Sequence, residues 1–280
     1  MTKYFTEEDS VETVNARMGA DTSPRLAEIM SSLVKHLHAF AKETQLTREE
    51  WEYGIQFLTK TGQMCSDERQ EFILLSDTLG LSMLIDAINN RRPKGATENT
   101  VLGPFHVEGA PVRQMEDTIN LDGEGETCVY EGKVIDLQGN PIAGARIDVW
   151  SDNHDGFYDV QQPGIQPKWN NRGIFITADD GSYRFRGIKP VSYPIPDDGP
   201  VGQMLNHLGR HPYRPAHMHY LVTAEGYQRL ITHIFVGDDF YIESDTVFGV
   251  KESLIMPFER TDNENIPWRS YFDFALVKAE

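Results

Sequence analysis

Asn89-Asn-Arg-Arg-Pro-Lys-Gly95 separates two kinds of sequence, and the contrast across it decides the fold. The segment is polar and basic with a proline inside it, which reads as a linker. Upstream, Leu26, Ile29, Met30, Leu33, Leu37 and Phe40 recur three or four residues apart, the spacing of one helix face. Ser23-Pro24 supplies an N-cap followed by proline at the first helical position. Thr47-Arg-Glu-Glu50 reads as a capping box for a helix carrying Trp51, Ile55 and Leu58. A third helix is predicted from Ser66-Asp67 to Asn89-Asn90, weakened at Gly80. Downstream of Gly103, turn signals at Gly139-Asn-Pro141, Asp180-Gly181 and Ala224-Glu-Gly-Tyr227 punctuate short apolar runs. Strands are predicted over Cys128 to Ile135, Ala145 to Trp150, Gly173 to Thr177, Tyr183 to Ile188, Met218 to Thr223 and Arg229 to Val236. Short strands with frequent turns suggest a sandwich or barrel. The expected fold is α+β, with a helical N-terminal domain over residues 1–100 and an all-β sandwich over 101–280.

Composition narrows the function by exclusion. The chain has 280 residues, 39% hydrophobic and 25% charged, enough to bury a substantial core. The best candidate for a membrane span, residues 72–88, is interrupted by Ser76, Asp77, Ser82 and Asp86. Met1 to Ser10 has no basic start followed by an apolar stretch, so no secretory signal is expected. Lysine and arginine number 26 against 43 acidic residues, a net charge of −17 that repels phosphate backbones. Two cysteines, Cys65 and Cys128, supply neither a disulfide framework nor a cysteine zinc site, and suit a reducing cytoplasm.

The nine histidines are unevenly placed. His36 and His38 fall on a predicted helix, where residues two apart face different ways, so they read as surface residues. His217 and His219 fall on a predicted strand, where residues two apart share a face and can converge on one ion. His207 and His211 flank Gly209 ahead of Pro212, and read as the end of a helix. No His-Glu-x-x-His, Gly-x-Ser-x-Gly or P-loop pattern occurs. Tyr158 and Tyr193 stand near turns and Arg214 just before the histidine pair; singly, none of these carries a function.

Together they do. Leu102-Gly-Pro-Phe-His-Val-Glu-Gly-Ala-Pro111, Gly139-Asn-Pro-Ile-Ala-Gly-Ala-Arg-Ile-Asp-Val-Trp150, Gly156-Phe-Tyr-Asp159, Arg172-Gly-Ile-Phe-Ile-Thr177, Tyr193-Pro-Ile-Pro196 and Gly209-Arg-His-Pro-Tyr-Arg-Pro-Ala-His-Met-His219 resemble the intradiol ring-cleaving dioxygenases. That family opens catechol-type rings with non-heme iron(III). The resemblance runs from about the third helix to Leu254 and implies Tyr158, Tyr193, His217 and His219 as ligands of one iron per subunit. It also implies that Tyr193 is the phenolate that leaves on substrate binding and takes up a proton, and that Arg214 stabilises charge on the substrate. Phenolate is a hard, anionic ligand suited to the ferric state, and binding must lower the phenol pKa far below about 10. No nicotinamide or flavin is implied. The helical domain is expected to form a homodimer, with a phospholipid between its helices.

The same resemblance places Leu74, Asp77, Val101, Gly103, Pro104, Phe105, Ile195, Pro196, Arg214 and Val247 around the substrate. Asp77 discriminates among diols. A carboxyl in an apolar pocket costs desolvation unless something pairs with it, and a third substrate hydroxyl is such a partner. That favours the hydroxyquinol branch over catechol or chlorocatechol, and the phrases Val101-Leu-Gly-Pro-Phe105 and Thr232-His-Ile-Phe235 look like the same branch. Local capping by Asp77 and a non-catalytic, aromatic-binding sandwich stand as the alternatives.

Overall fold

The computed structural model describes residues 4–66 and 69–279. The chain divides into two compact units, 1–63 and 64–280. In the first, α1 (Ser10–Asn15) packs on α2 (Pro24–Thr44), and α3 (Arg48–Gln63) follows. Ser23 caps α2, its hydroxyl accepting from the Leu26 N–H at 3.4 Å. Thr47 and Glu50 form the expected reciprocal box: the Thr47 N–H donates to Glu50 Oε2 at 2.9 Å, and the Glu50 N–H to Thr47 Oγ1 at 3.2 Å. His36 is exposed as expected, but His38 is half-buried, its Nδ1 3.1 Å from Ser10 Oγ. No residue of α2 is buried, and Leu26, Ile29, Met30, Leu33, Leu37 and Phe40 all stand exposed along one face.

The second unit begins with two helices where one was expected. α4 (Glu71–Thr78) and α5 (Leu81–Asn89) are separated at Gly80, whose φ of 74° lies in the left-handed region. Such a residue cannot continue a helix, and glycine adopts it without steric cost. Of the expected start at Ser66-Asp67, Asp67 lies outside the described residues. Glu71 is fully buried; its carboxylate accepts from Arg69 and from the Val201 N–H at 3.2 Å, fastening α4 to the first turn of α6 (Pro200–His207). α6 ends before Gly209, as read from the sequence.

The sandwich follows. β1 (Thr127–Asp136) pairs with β4 (Ser182–Ile188) on one side, and on the other with β11 (Trp268–Tyr271) and then β12 (Phe274–Leu276), with β10 (Glu259–Arg260) on the edge. The second sheet runs in the order β3 (Arg172–Ile176), β2 (Arg146–Trp150), β7 (His217–Thr223), β8 (Leu230–Val236), β9 (Ile255–Met256). A small ladder joins β5 (Tyr193–Pro194) to β6 (Tyr213–Arg214). Side-chain alternation then sorts each strand. Ile147 and Val149 of β2, Met218, Tyr220 and Val222 of β7, and Leu230, Ile234 and Val236 of β8 enter one core with Tyr130, Val134, Phe185 and Phe274 of the facing sheet. Trp150, His217, His219 and His233 consequently lie on the opposite face of the second sheet. Among the described residues no helix is long and apolar enough to cross a membrane.

Candidate metal centre

Strand register assembles the centre. β7 places His219 between Trp150 of β2 and His233 of β8, its paired neighbours on either side. The Trp150 and His219 rings stack at 4.7 Å and 13°, while His233 meets His219 edge-on at 4.1 Å and 80°. His217 is set differently: its Nδ1 lies 2.7 Å from the Pro215 carbonyl oxygen, so Nδ1–H donates there and Nε2 keeps its lone pair. In the β5–β6 ladder Tyr193 stands opposite Arg214. Asp239 ties that region to β7, its Oδ2 accepting from Ser192 Oγ at 2.8 Å and from the Ala216 N–H at 3.0 Å.

Tyr158 arrives on a loop shaped by its own sequence. Asn153 Oδ1 accepts the N–H groups of Asp155 and Phe157 at 3.1 and 3.0 Å, folding the Gly156 turn. A Cβ on Gly156 would sit 2.9 Å from the Tyr193 Cβ, so the two tyrosine segments approach only because that residue is glycine. Beyond Tyr158, Asp159 forms a buried ion pair with Arg172 at 2.6 Å and accepts the Trp169 N–H at 2.9 Å.

The result is a closed ring of four donor atoms. Tyr158 Oη to Tyr193 Oη is 3.3 Å, Tyr193 Oη to His217 Nε2 3.4 Å, His217 Nε2 to His219 Nε2 3.2 Å, and His219 Nε2 to Tyr158 Oη 3.0 Å. All four side chains are buried. Burial, and then the Arg214 cation, hold His217 down to about 3; burial and the neighbouring His233 hold His219 well below its ordinary value. Both rings are therefore neutral, and His217 turns a lone pair into the ring of donors. Burial pushes both phenols up; Arg214 offsets part of this at Tyr193, while at Tyr158 the neighbouring Tyr193 adds to it. Donors about 3 Å apart around a common centre are the arrangement that ligand bonds of about 2 Å produce. The residues present fit a metal ion. His217, His219 and His233 also offer ring nitrogens within 4.8 Å of one another.

Arg214 reaches this ring with Nη1 3.2 Å from His217 Nε2. Its Nε and Nη2 lie 3.2 and 3.4 Å from the two Asp245 oxygens, which also accept the N–H groups of Val247 and Gly249. Burial opposes the Arg214 charge, yet Asp245 and the two phenols raise its pKa above the ordinary value.

The expected substrate residues fall into groups. Phe105 stacks on Tyr158 at 4.5 Å, and Gly103 abuts His219, where an added Cβ would sit 3.0 Å from the ring. Leu74 packs on Ile195, Leu205 and Val247 in a separate apolar cluster. Asp77 on α4 is half-buried; burial raises its pKa, the Ser82 hydroxyl and Arg214 draw it down, and Asp245 raises it. Val101 is half-buried beside His233, while Pro104 and Pro196 are exposed. Sequence reasoning missed Asp245, Trp150 and Asp152. The last is a fully buried acid six residues before Tyr158, its carboxyl pushed well above the ordinary range by burial. Only strand pairing could have signalled Trp150; Asp245 and Asp152 left no pattern.

Comparison with known proteins agrees with this geometry. The family model described as dioxygenase matches residues 101–277, and that described as catechol dioxygenase N terminus matches 23–97. The chain is 59% identical to hydroxyquinol 1,2-dioxygenase of Rhizobium sp. (strain MTP-10005), covering 93% of this chain and 88% of the relative. It is 40% identical to catechol 1,2-dioxygenase of Candida albicans over 99% of this chain and 93% of that one. The crystal structure of hydroxyquinol 1,2-dioxygenase from Pseudomonas putida DLL-E4 superposes with a TM-score of 0.93 at 44% identity, covering 98% and 99% of the two chains. With an α+β fold, a buried ring of four donor atoms and family matches over both parts of the sequence, this chain belongs to the intradiol ring-cleaving dioxygenases.

Proposed function

We propose that this protein opens hydroxyquinol (benzene-1,2,4-triol) between its adjacent hydroxyls with dioxygen, giving 3-hydroxy-cis,cis-muconate and its tautomer maleylacetate. One non-heme iron(III) per subunit would be held by Tyr158, Tyr193, His217 and His219. The ring of four donors 3.0–3.4 Å apart carries this reading. Two phenolates and two neutral imidazoles make a hard donor set that favours an oxidised ion. When bound, ferric iron would hold the diol through two oxygens and draw electron density from its ring, opening the ring to dioxygen.

This chain's residues divide the remaining work. Tyr193 takes up a substrate proton at Oη, the role suited to the phenol opposite Arg214. Tyr158, His217 and His219 keep the ion in place. Arg214, charged and held by Asp245, faces negative charge as it develops on the substrate, a preorganised electrostatic role. Phe105, Leu74, Ile195 and Val247 form apolar walls, Gly103 leaves room beside His219, and Val101, Pro104 and Pro196 complete the pocket. Asp77 receives the third hydroxyl. The relatives named hydroxyquinol 1,2-dioxygenase support that choice.

The finer assembly belongs to the same proposal: a cytoplasmic homodimer joined through the N-terminal helices, with a phospholipid held among them. The exposed apolar face of α2 supports it, because an apolar stripe of that length marks an interaction surface. Dioxygen uptake by the iron-loaded protein, with hydroxyquinol and catechol side by side and hydroxyquinol autoxidation subtracted, tests the activity. Strong uptake with hydroxyquinol and weak uptake with catechol is expected, and Asp77→Ala should lower the first more than the second. The reverse preference would leave the ring-cleaving chemistry and discard the substrate; no uptake with either would discard both.

A further inference from the structure

Outside the ring of donors, Arg210 joins two parts of the chain that face each other. It follows Gly209, whose φ of 66° ends α6, and its own N–H donates back to the Leu205 carbonyl at 2.9 Å. That helix-ending motif fixes the backbone at Arg210. Its half-buried guanidinium then forks: Nη1 donates to the Thr78 carbonyl at 2.6 Å and Nη2 to the Thr246 carbonyl at 2.7 Å. Thr78 follows Asp77 and is the last residue of α4, so its carbonyl is among those a helix leaves unpaired at its C-terminus. Thr246 stands between Asp245, which holds Arg214, and Val247. Both threonines are buried. Phe248 adds a third contact to the same joint. Its φ is 59°, a left-handed conformation uncommon for a bulky residue. Its ring lies 4.9 Å from the Arg210 guanidinium carbon and against Gly80, where an added Cβ would sit 3.4 Å from the ring.

Capping of α4 accounts for the Thr78 contact alone; it requires neither the second arm of the fork nor Phe248. The two carbonyls belong to the neighbours of Asp77 and Asp245, and these acids share one space. Asp77 lies near enough to the Arg214–Asp245 pair for Arg214 to draw its pKa down and Asp245 to raise it. Leu74 of α4 and Val247 pack in one apolar cluster. The guanidinium is planar, so its two donors keep a fixed separation, and the segments that accept from them are held at a fixed spacing too. We propose that Arg210 is a positioning residue: it sets the spacing between Asp77 on α4 and the turn over residues 245–249, and through that spacing the preference for a diol bearing a third hydroxyl. The inference rests on Asp77 receiving that hydroxyl.

Steady-state dioxygen uptake by the iron-loaded protein, with hydroxyquinol and with catechol and with autoxidation subtracted, provides the test. The proteins compared are the wild type, Arg210→Gln, Arg210→Lys, Asp77→Ala and the double variant Asp77→Ala/Arg210→Gln. Arg210→Gln should raise KM for hydroxyquinol about tenfold while its kcat, and KM for catechol, stay within about threefold of wild type. Lysine keeps the charge without the fork, so Arg210→Lys should lie between wild type and Arg210→Gln; as the milder change, it carries the test if Arg210→Gln does not fold. Iron per subunit should match the wild type in both. The double variant should discriminate no worse than Asp77→Ala, because a residue acting through Asp77 adds nothing once that carboxyl is gone. Equal losses on both substrates, as a purely structural cap would give, would overturn the proposal, as would losses that multiply in the double variant. A wild type without the preference for hydroxyquinol would overturn this inference together with the role given to Asp77. A preference lost in Asp77→Ala but kept in both Arg210 variants would overturn this inference alone.

Discussion

Asp245→Asn removes one negative charge from the interior and nearly nothing else, which makes it a direct probe of how Arg214 is held. Asp245 is 6% exposed and its two oxygens take two contacts from Arg214 and two backbone N–H groups. Removing one partner of a buried ion pair costs about 3–5 kcal/mol, because the remaining charge stays desolvated. Asparagine keeps a carbonyl oxygen for Arg214 but turns an N–H₂ toward donors, so a loss of about 2–3 kcal/mol is expected. Arg214 would also lose its orientation beside His217, and kcat/KM for the diol should fall roughly 10- to 100-fold, about 1.4–2.7 kcal/mol. Urea unfolding and steady-state dioxygen uptake on the two proteins measure both effects.

The pH dependence gives a second signature. Burial pushes the Asp245 carboxyl up, but Arg214 and the backbone donors carry it below its ordinary value. A depressed carboxyl contributes stability that is present above its unfolded pKa of about 3.9 and is lost as pH falls through the lower folded value. The stability gap between wild type and Asp245→Asn should therefore be full at neutral pH and shrink in acid below pH 4. Unchanged unfolding midpoints at pH 7, or kcat/KM within twofold of wild type, would show that Asp245 does not hold Arg214.

Gly103→Ala places a methyl 3.0 Å from the His219 ring at a residue whose φ is 77°, so a stability loss of about 1–2 kcal/mol and a lower iron content per subunit are expected; metal analysis after purification reads the second. Asp159→Asn leaves Arg172 buried without its counter-charge and should cost about 3 kcal/mol in urea unfolding, with Asp159→Ala costing more. His233→Ala opens a space against His219 and should lower iron retention without removing any of the four ring donors, which dialysis against a chelator would measure.

The sequence made the strands legible where turns bracketed them. All six predicted runs match observed strands to within one residue at each end, because Gly139-Asn-Pro141, Asp180-Gly181 and Ala224 to Tyr227 fix the register between them. β11 and β12 escaped notice: at four and three residues, joined through Phe272-Asp273, they carry too little alternation to stand out. The helix expected over 66–90 was apolar enough throughout, but one left-handed residue outweighed the pattern. In the site, alternation alone put His217 and His219 on one face, and their reading as ligands came with the resemblance. The tyrosines came only from resemblance, since loop geometry has no period. Asp245 sits 31 residues from Arg214 on an irregular segment, a separation no local pattern spans.

The donors also show why the centre depends so heavily on register. Met218 and Tyr220 alternate with His217 and His219, so a slip of one residue in β7 would turn both imidazoles into the sandwich core and expel two large apolar side chains. The apolar core thus enforces the polar site. Each donor is then pinned by something other than an ion: His217 by the Pro215 carbonyl, His219 between Trp150 and His233, Tyr193 by the ladder opposite Arg214, and Tyr158 by a loop anchored through Asp159 and Arg172. Each imidazole is thus oriented by neighbours from its own fold, the surrounding support that converging donor atoms need.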